Sequence, residues 1–216
     1  MFFRRRLCWV PTWRSWLALL LMLILSAILS IRYAYDFLAV NDSRPGGTLV
    51  IEGWAPDYAL EATLAEFRKN HYDQVIITGG PIEKGEPLCE YKNTAEFSMA
   101  ILLRMGLATN LVHAVPAPGT QKDRTYLSIL TLKRWLLAHG GLPASINLMT
   151  CGAHARRSRL LYAQVFDASV KIGVIAIPAQ EFEPASWWTT SSGVRQMLSE
   201  LIAYGYVRFI FHPPRE

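Results

Sequence analysis

No acidic residue occurs before Tyr33 in this chain of 216 residues. The charges of that segment are all arginine: Arg4, Arg5, Arg6, Arg14 and Arg32. All 17 acidic residues lie further on, where an equal number of the 22 lysines and arginines balances them. The formal net charge of +5 therefore belongs to the N-terminus. The remainder has no basic excess of the kind that nucleic acid binding needs. Cysteine is scarce. Cys8 lies in the arginine-rich segment, and the spacing of Cys89 and Cys151 matches no metal or redox motif. Those two either pair in an oxidising compartment or remain separate thiols. The chain has no G-x-G-x-x-G, P-loop, G-x-S-x-G, H-E-x-x-H or paired-cysteine metal pattern. Repeats and low-complexity tracts are also missing. A composition that is 51% hydrophobic gives no sign of disorder and can bury a sizeable core.

The hydrophobic residues concentrate first in WLALLLMLILSAILSI, residues 16–31, which carries no charge. Tyr33 and Tyr35 extend it to roughly the 20 residues a bilayer requires. Arg4–Arg6 and Arg14 precede it, and Trp9, Trp13 and Trp16 fall at headgroup level. The positive-inside rule puts the N-terminus in the cytoplasm and the rest of the chain on the far side. The stretch is long for a signal peptide, no small-x-small site follows at once, and no lipobox cysteine is present. A retained anchor over residues 1–40 is expected, with a cleaved signal as the alternative.

NDSRPGG, residues 41–47, reads as a linker to one domain over 48–216. Strand patterns at 48–53, 74–80, 110–115, 146–151 and 171–178 alternate with helical patterns at 57–70, 91–105, 125–139 and 154–166. A last helix is expected over 194–208. This alternation predicts a three-layer, Rossmann-like α/β fold with a mostly parallel sheet of about five strands. Ligands of such sheets bind beyond the carboxyl ends of the strands, and there the sequence places Glu52 and Trp54, then Gly79 and Gly80, then Asp123 and Thr125, then Thr150 and Gly152.

The stretch LMTCGAHARRSRLL, residues 148–161, runs from a strand into a helix start carrying His154, Arg156, Arg157 and Arg159. Cations at a helix N-terminus oppose the macrodipole. His154 and Arg157 share a face of the first turn, where free N–H groups point the same way. A bound phosphate or carboxylate would reconcile the two, with Gly152 permitting close approach. Otherwise the arginines are surface charge and His154 caps the turn. Arg156 and Arg159, on other faces, are expected to be solvated. Asp123 also suits an N-cap. Glu52 suits a general base, a metal ligand or an exposed strand-end charge. Trp187 and Trp188 suit ring stacking or packing.

The order of features resembles the YdcF-like family of bacterial envelope proteins over roughly residues 48–205. TGG at 78–80 and Thr150-x-x-x-His154-x-x-Arg157 carry the resemblance most specifically. Glu52-Gly53-Trp54 departs from the family's Gly-rich turn, Cys151 stands where Ser is common, and Ser158 where Ala is. The resemblance implies a Rossmann-like fold and a role in the cell envelope, including peptidoglycan biogenesis. Gly79, Gly80, Thr150, His154 and Arg157 match its motif positions, and Asp123 and Thr125 match loosely. The reading that follows is a protein of the bacterial inner membrane with its domain outside the cytoplasm. It binds or acts on an anionic phosphate-bearing ligand, such as a lipid-linked sugar, with His154 as acid or base. A nucleotide or S-adenosylmethionine binder and a non-catalytic scaffold are the alternatives. Cofactor, reaction and oligomeric state stay open.

Overall fold

The computed structural model describes residues 12–83 and 85–213. Arg4–Arg6, Cys8 and Trp9 lie outside the described residues. Among the described residues one helix, α1 (Trp13–Leu38), is long and apolar enough to cross a membrane. At 1.5 Å per residue it extends about 39 Å. Its side chains are exposed up to Tyr33, and then Ala34, Tyr35 and Leu38 are buried.

Five parallel strands follow: β1 (Thr48–Glu52), β2 (Gln74–Gly79), β3 (Val112–Pro116), β4 (Ser145–Cys151) and β5 (Lys171–Ile177). Their order is β3-β2-β1-β4-β5. The central strands are apolar on both faces, as a sheet covered on both sides requires. Leu49, Ile51, Val75 and Ile77 face α2 (Asp57–Lys69) and α3 (Thr94–Arg104). Val50, Ile76 and Leu148 face α4 (Arg124–Ala138), α5 (Ala155–Phe166) and α6 (Ser191–Phe209). The expected α/β architecture is therefore present. The chain moves outward from β1 to β3, then returns to the other side of β1 as β4, so the crevice between β1 and β4 is the topological switch point.

Boundaries differ where capping decides them. The helix expected from Tyr91 begins at Thr94, because the Asn93 side chain accepts from the Glu96 N–H at 2.8 Å. The last helix begins at Ser191, three residues early, where the Thr190 hydroxyl accepts from the Gly193 N–H.

Residues 41–47 do not form a free linker. The Ala176 N–H donates to the Asn41 side chain, and Asp42 bridges Val174 in antiparallel fashion. Further along, Arg44 and Gly46 bond the Asn147 side chain. The segment is a strap running down β5 and over the start of β4. Its polar sequence looks like a linker because the backbone of an edge strand, not an apolar face, is what holds it.

The end of α1 is equally part of the domain. Tyr35 and Leu38 pack with Ala153, Ala179, Phe182, Trp187 and Met197. Trp187 Nε1 donates to the Ile31 carbonyl at 3.0 Å, so Trp187 belongs to packing. Leu38→Ala is expected to destabilise the domain by about 2–5 kcal/mol, measured by denaturant unfolding of the full chain in detergent. Leu23→Ala, in the exposed part of α1, should leave the midpoint unchanged.

Candidate functional site

The carboxyl ends of β1 and β2 and the segment after β3 border a cleft of about 970 Å³. Its wall includes Trp54, Gly79, Gly80, Thr94, Asp123 and Thr125, and its floor includes Glu52, His154 and Arg157. Glu52 ends β1, in register with Thr78 on β2. It is 5% exposed, so it is not a strand-end surface charge. Thr150 Oγ1 donates to it at 2.5 Å and Ser158 Oγ at 3.3 Å.

His154 closes the 3-10 turn Gly152–His154 that leads into α5. Its ring lies between two carboxylates. Nδ1 faces Glu200 Oε1 at 2.9 Å, and Nε2 lies 3.4 Å from Glu52 Oε1. Nε2 has no hydrogen-bond partner among the described residues, so the Glu52 contact is an ion pair without a well-formed hydrogen bond. Trp54 covers the ring edge-on, with centroids 5.1 Å apart.

Arg157 grips the same Glu200 with two nitrogens, Nε to Oε2 at 2.8 Å and Nη2 to Oε1 at 3.1 Å. Nη2 also approaches His154 Nδ1 at 2.8 Å, and Nη1 reaches Thr125 Oγ1 at 3.5 Å. This forked geometry is the strong form of carboxylate binding. Two carboxylates thus meet two cations in one buried, neutral cluster.

The cluster sets the protonation states. Burial by itself would lower the His154 pKa, but the Glu52 charge, the bond to Glu200 and the close Glu52 contact raise it to about 9. Burial would raise Glu200, but bonds from His154 and Arg157 hold it at about 2. Burial also opposes ionisation of Glu52, yet the charge and contact of His154 and the Thr150 bond keep its pKa below the ordinary value. The two carboxylates thus favour the protonated form of the His154 ring.

The basic helix start is therefore compensated from within. Glu200, on α6, takes the place beside Arg157 that the sequence suggested for a ligand anion. Arg156 and Arg159 are not simply solvated. Arg156 donates to the Phe37 carbonyl and lies over the Phe37 ring, 4.1 Å from its centroid. Arg159 pairs with Asp42 of the strap.

Other expected residues divide by position. Thr150 lies beneath the floor, bonded to Glu52. Gly152 does not line the cleft. Its φ of +42° favours glycine, and a Cβ there would lie 2.9 Å from the Tyr35 hydroxyl. Gly79 lies against the start of α3, where a Cβ would meet Thr94 Oγ1 at 2.3 Å. Gly80 has open space around it. Asp123 occupies the N-cap position of α4 in a left-handed conformation, φ 49°, and its side chain makes no capping bond. Cys89 and Cys151 are free, and burial pushes the Cys151 thiol up to about 12.

Glu200 and Ser158 were not legible as site residues. Glu200 did leave a signal: it is the single acid in α6, three and seven residues before Ala203 and Val207, which line the cleft.

No family model matches this chain, and no curated protein matches it.

Two outcomes follow from the cluster. Arg157→Ala leaves Glu52 and Glu200 to share His154 alone and should destabilise by about 3–5 kcal/mol. The double change Arg157→Met with Glu200→Leu should recover most of that loss, and denaturant midpoints decide. The pH dependence has a defined sign. His154 titrates near 9 in the folded chain against an ordinary 6.5, so its contribution is full below 6.5 and fades as pH rises toward 9. Glu200 contributes fully above its ordinary 4.5, and that contribution fades as pH falls toward about 2. Thermal stability should peak between about pH 5 and 6.5 and decline on both sides, and His154→Gln should flatten the alkaline limb.

Proposed function

We propose that this chain is a membrane-anchored cell-envelope protein of the YdcF-like kind that binds an anionic, phosphate-bearing ligand in the strand-end cleft. One observation carries the reading. His154, just before α5, and Arg157, in its first turn, stand side by side at the floor of a cleft at the sheet's switch point. Arg157 keeps one nitrogen toward Thr125 and the cleft, and the Gly79–Gly80 turn brings main chain to the opposite wall. A phosphate entering there competes with Glu200 for the guanidinium. Freed from Glu200, Arg157 neutralises the ligand, while His154 keeps its proton beside Glu52.

That protonated ring is the group placed to deliver a proton to a leaving oxygen if the ligand is turned over. Trp54 excludes water from the ring face and offers a surface for a sugar or base. The arginine-rich start of the sequence and the apolar α1 support an inner-membrane anchor with the N-terminus in the cytoplasm and the cleft outside it. A lipid-linked or otherwise phosphorylated envelope precursor fits that side of the membrane better than a cytoplasmic nucleotide or methyl donor does.

Thermal unfolding of the full chain in detergent tests the reading, with polyprenyl phosphate, sugar phosphates, nucleoside diphosphates and S-adenosylmethionine as probes. A ligand at about 100 times its Kd should stabilise by roughly 2.7 kcal/mol. The shift should come from a phosphate-bearing probe. It should shrink in Arg157→Lys, which keeps a cation beside Glu200 but loses the fork. If no phosphate-bearing probe shifts the wild type, the anion reading is wrong.

A further inference from the structure

The contacts made by the chain as it leaves α1 descend in order along the sheet. Ile31 meets Trp187, in the turn Pro184–Thr189 beyond the end of β5. The Tyr35 hydroxyl accepts from the Ala179 N–H, just past β5, and lies beside Gly152, just past β4. Asn41 holds Ala176, Asp42 holds Val174, Arg44 holds Asn147, and Gly46 holds Ser145 at the very start of β4. The chain therefore enters the domain at the carboxyl edge of the sheet and travels to the amino edge before β1 begins.

Ile31 is the last residue of the uncharged run. The carboxyl edge, which carries the cleft, is thus the edge nearest the apolar part of α1. The same edge shows large apolar side chains that packing leaves partly or wholly exposed. Trp54 after β1 is 50% exposed, Leu88 in the 81–93 loop after β2 is 95% exposed, and Trp188 after β5 is 39% exposed. Indole rings of this kind are at home at headgroup depth, and isolated apolar loop tips gain by entering that layer.

We propose that the carboxyl edge rests on the bilayer surface, with Trp54, at the cleft, and Leu88 and Trp188, elsewhere on the same edge, seated in the headgroup layer. The inference rests on α1 spanning the membrane, as in the function proposed above. It adds that the cleft opens onto lipid rather than onto bulk water, so its ligand is a group presented at the membrane surface. The edge also carries Glu83, Glu181 and Glu183, all exposed. Its attachment is therefore apolar, and salt should not weaken it.

The test uses the full chain in phosphatidylcholine nanodiscs containing nitroxide-headgroup lipid, with Cys8 and Cys89 changed to Ser. Cys151 is buried and stays. A fluorophore is attached through Leu88→Cys, Trp188→Cys, Leu137→Cys or Leu23→Cys in separate samples. Leu137 ends α4 near the amino edge and is 57% exposed, which makes it the distal control. Severalfold stronger quenching at 88 and 188 than at 137, unchanged in high salt, is the expected result. Equal quenching at the two edges, or stronger quenching at 137, overturns the proposal. The label at 23, read with nitroxide carried on the acyl chains, separates the two ideas. If 23 is quenched while 88 and 188 match 137, the anchor stands and the seated edge does not. If 23 is unquenched, both fail.

Discussion

Two carboxylates and two cations lie together, buried or nearly so, where β1, α5 and α6 meet, and none of the four is tolerable there without a partner of opposite charge. An isolated charge at such a site would be neutralised by its own desolvation. Glu52 comes from the end of the central strand, His154 and Arg157 from one helical turn, and Glu200 from the last helix. The cluster therefore ties together elements separated by most of the domain. It also fixes the rings and forks that face the cleft, since Glu200 orients both His154 and Arg157, and Thr150 and Ser158 hold Glu52 from below.

The same helix start fastens the domain to α1. Arg157 faces inward to Glu200, Arg156 reaches the Phe37 carbonyl, and Arg159 reaches Asp42 in the strap. Three arginines in four positions, unfavourable for an isolated helix, each meet a separate acceptor. The domain is consequently not tethered at a distance. Ala34, Tyr35 and Leu38, in the last two turns of α1, pack into its core, and the cleft is held at a fixed place relative to the apolar helix. Any ligand that binds there meets a rigid floor and a mouth whose position along α1 is set by packing.

The alternation of apolar strands and amphipathic helices made the architecture legible, because burial on both faces leaves a continuous apolar run and burial on one face leaves a helical stripe. It also made legible which residues follow the strands, and so the neighbourhood of Glu52, Gly79, Asp123 and His154. Partnership was not legible. Glu200 lies 43 residues beyond Arg157 in sequence, and standing out as the one acid of its helix does not name the cation it will meet. The strap over 41–47 has the sequence of a linker for a related reason: main-chain pairing along an edge leaves no side-chain pattern.

By itself, then, the sequence determined the secondary elements, the parallel α/β class, the apolar N-terminal helix and the strand-end location of the polar residues. These depend on local propensity and on patterns a few residues long. Only the tertiary structure decided that the basic helix start is neutralised internally, that Glu52 is buried rather than exposed, and that α1 ends inside the domain. Those outcomes depend on which distant groups come within a few ångströms, where burial makes an unpaired charge too costly to leave alone.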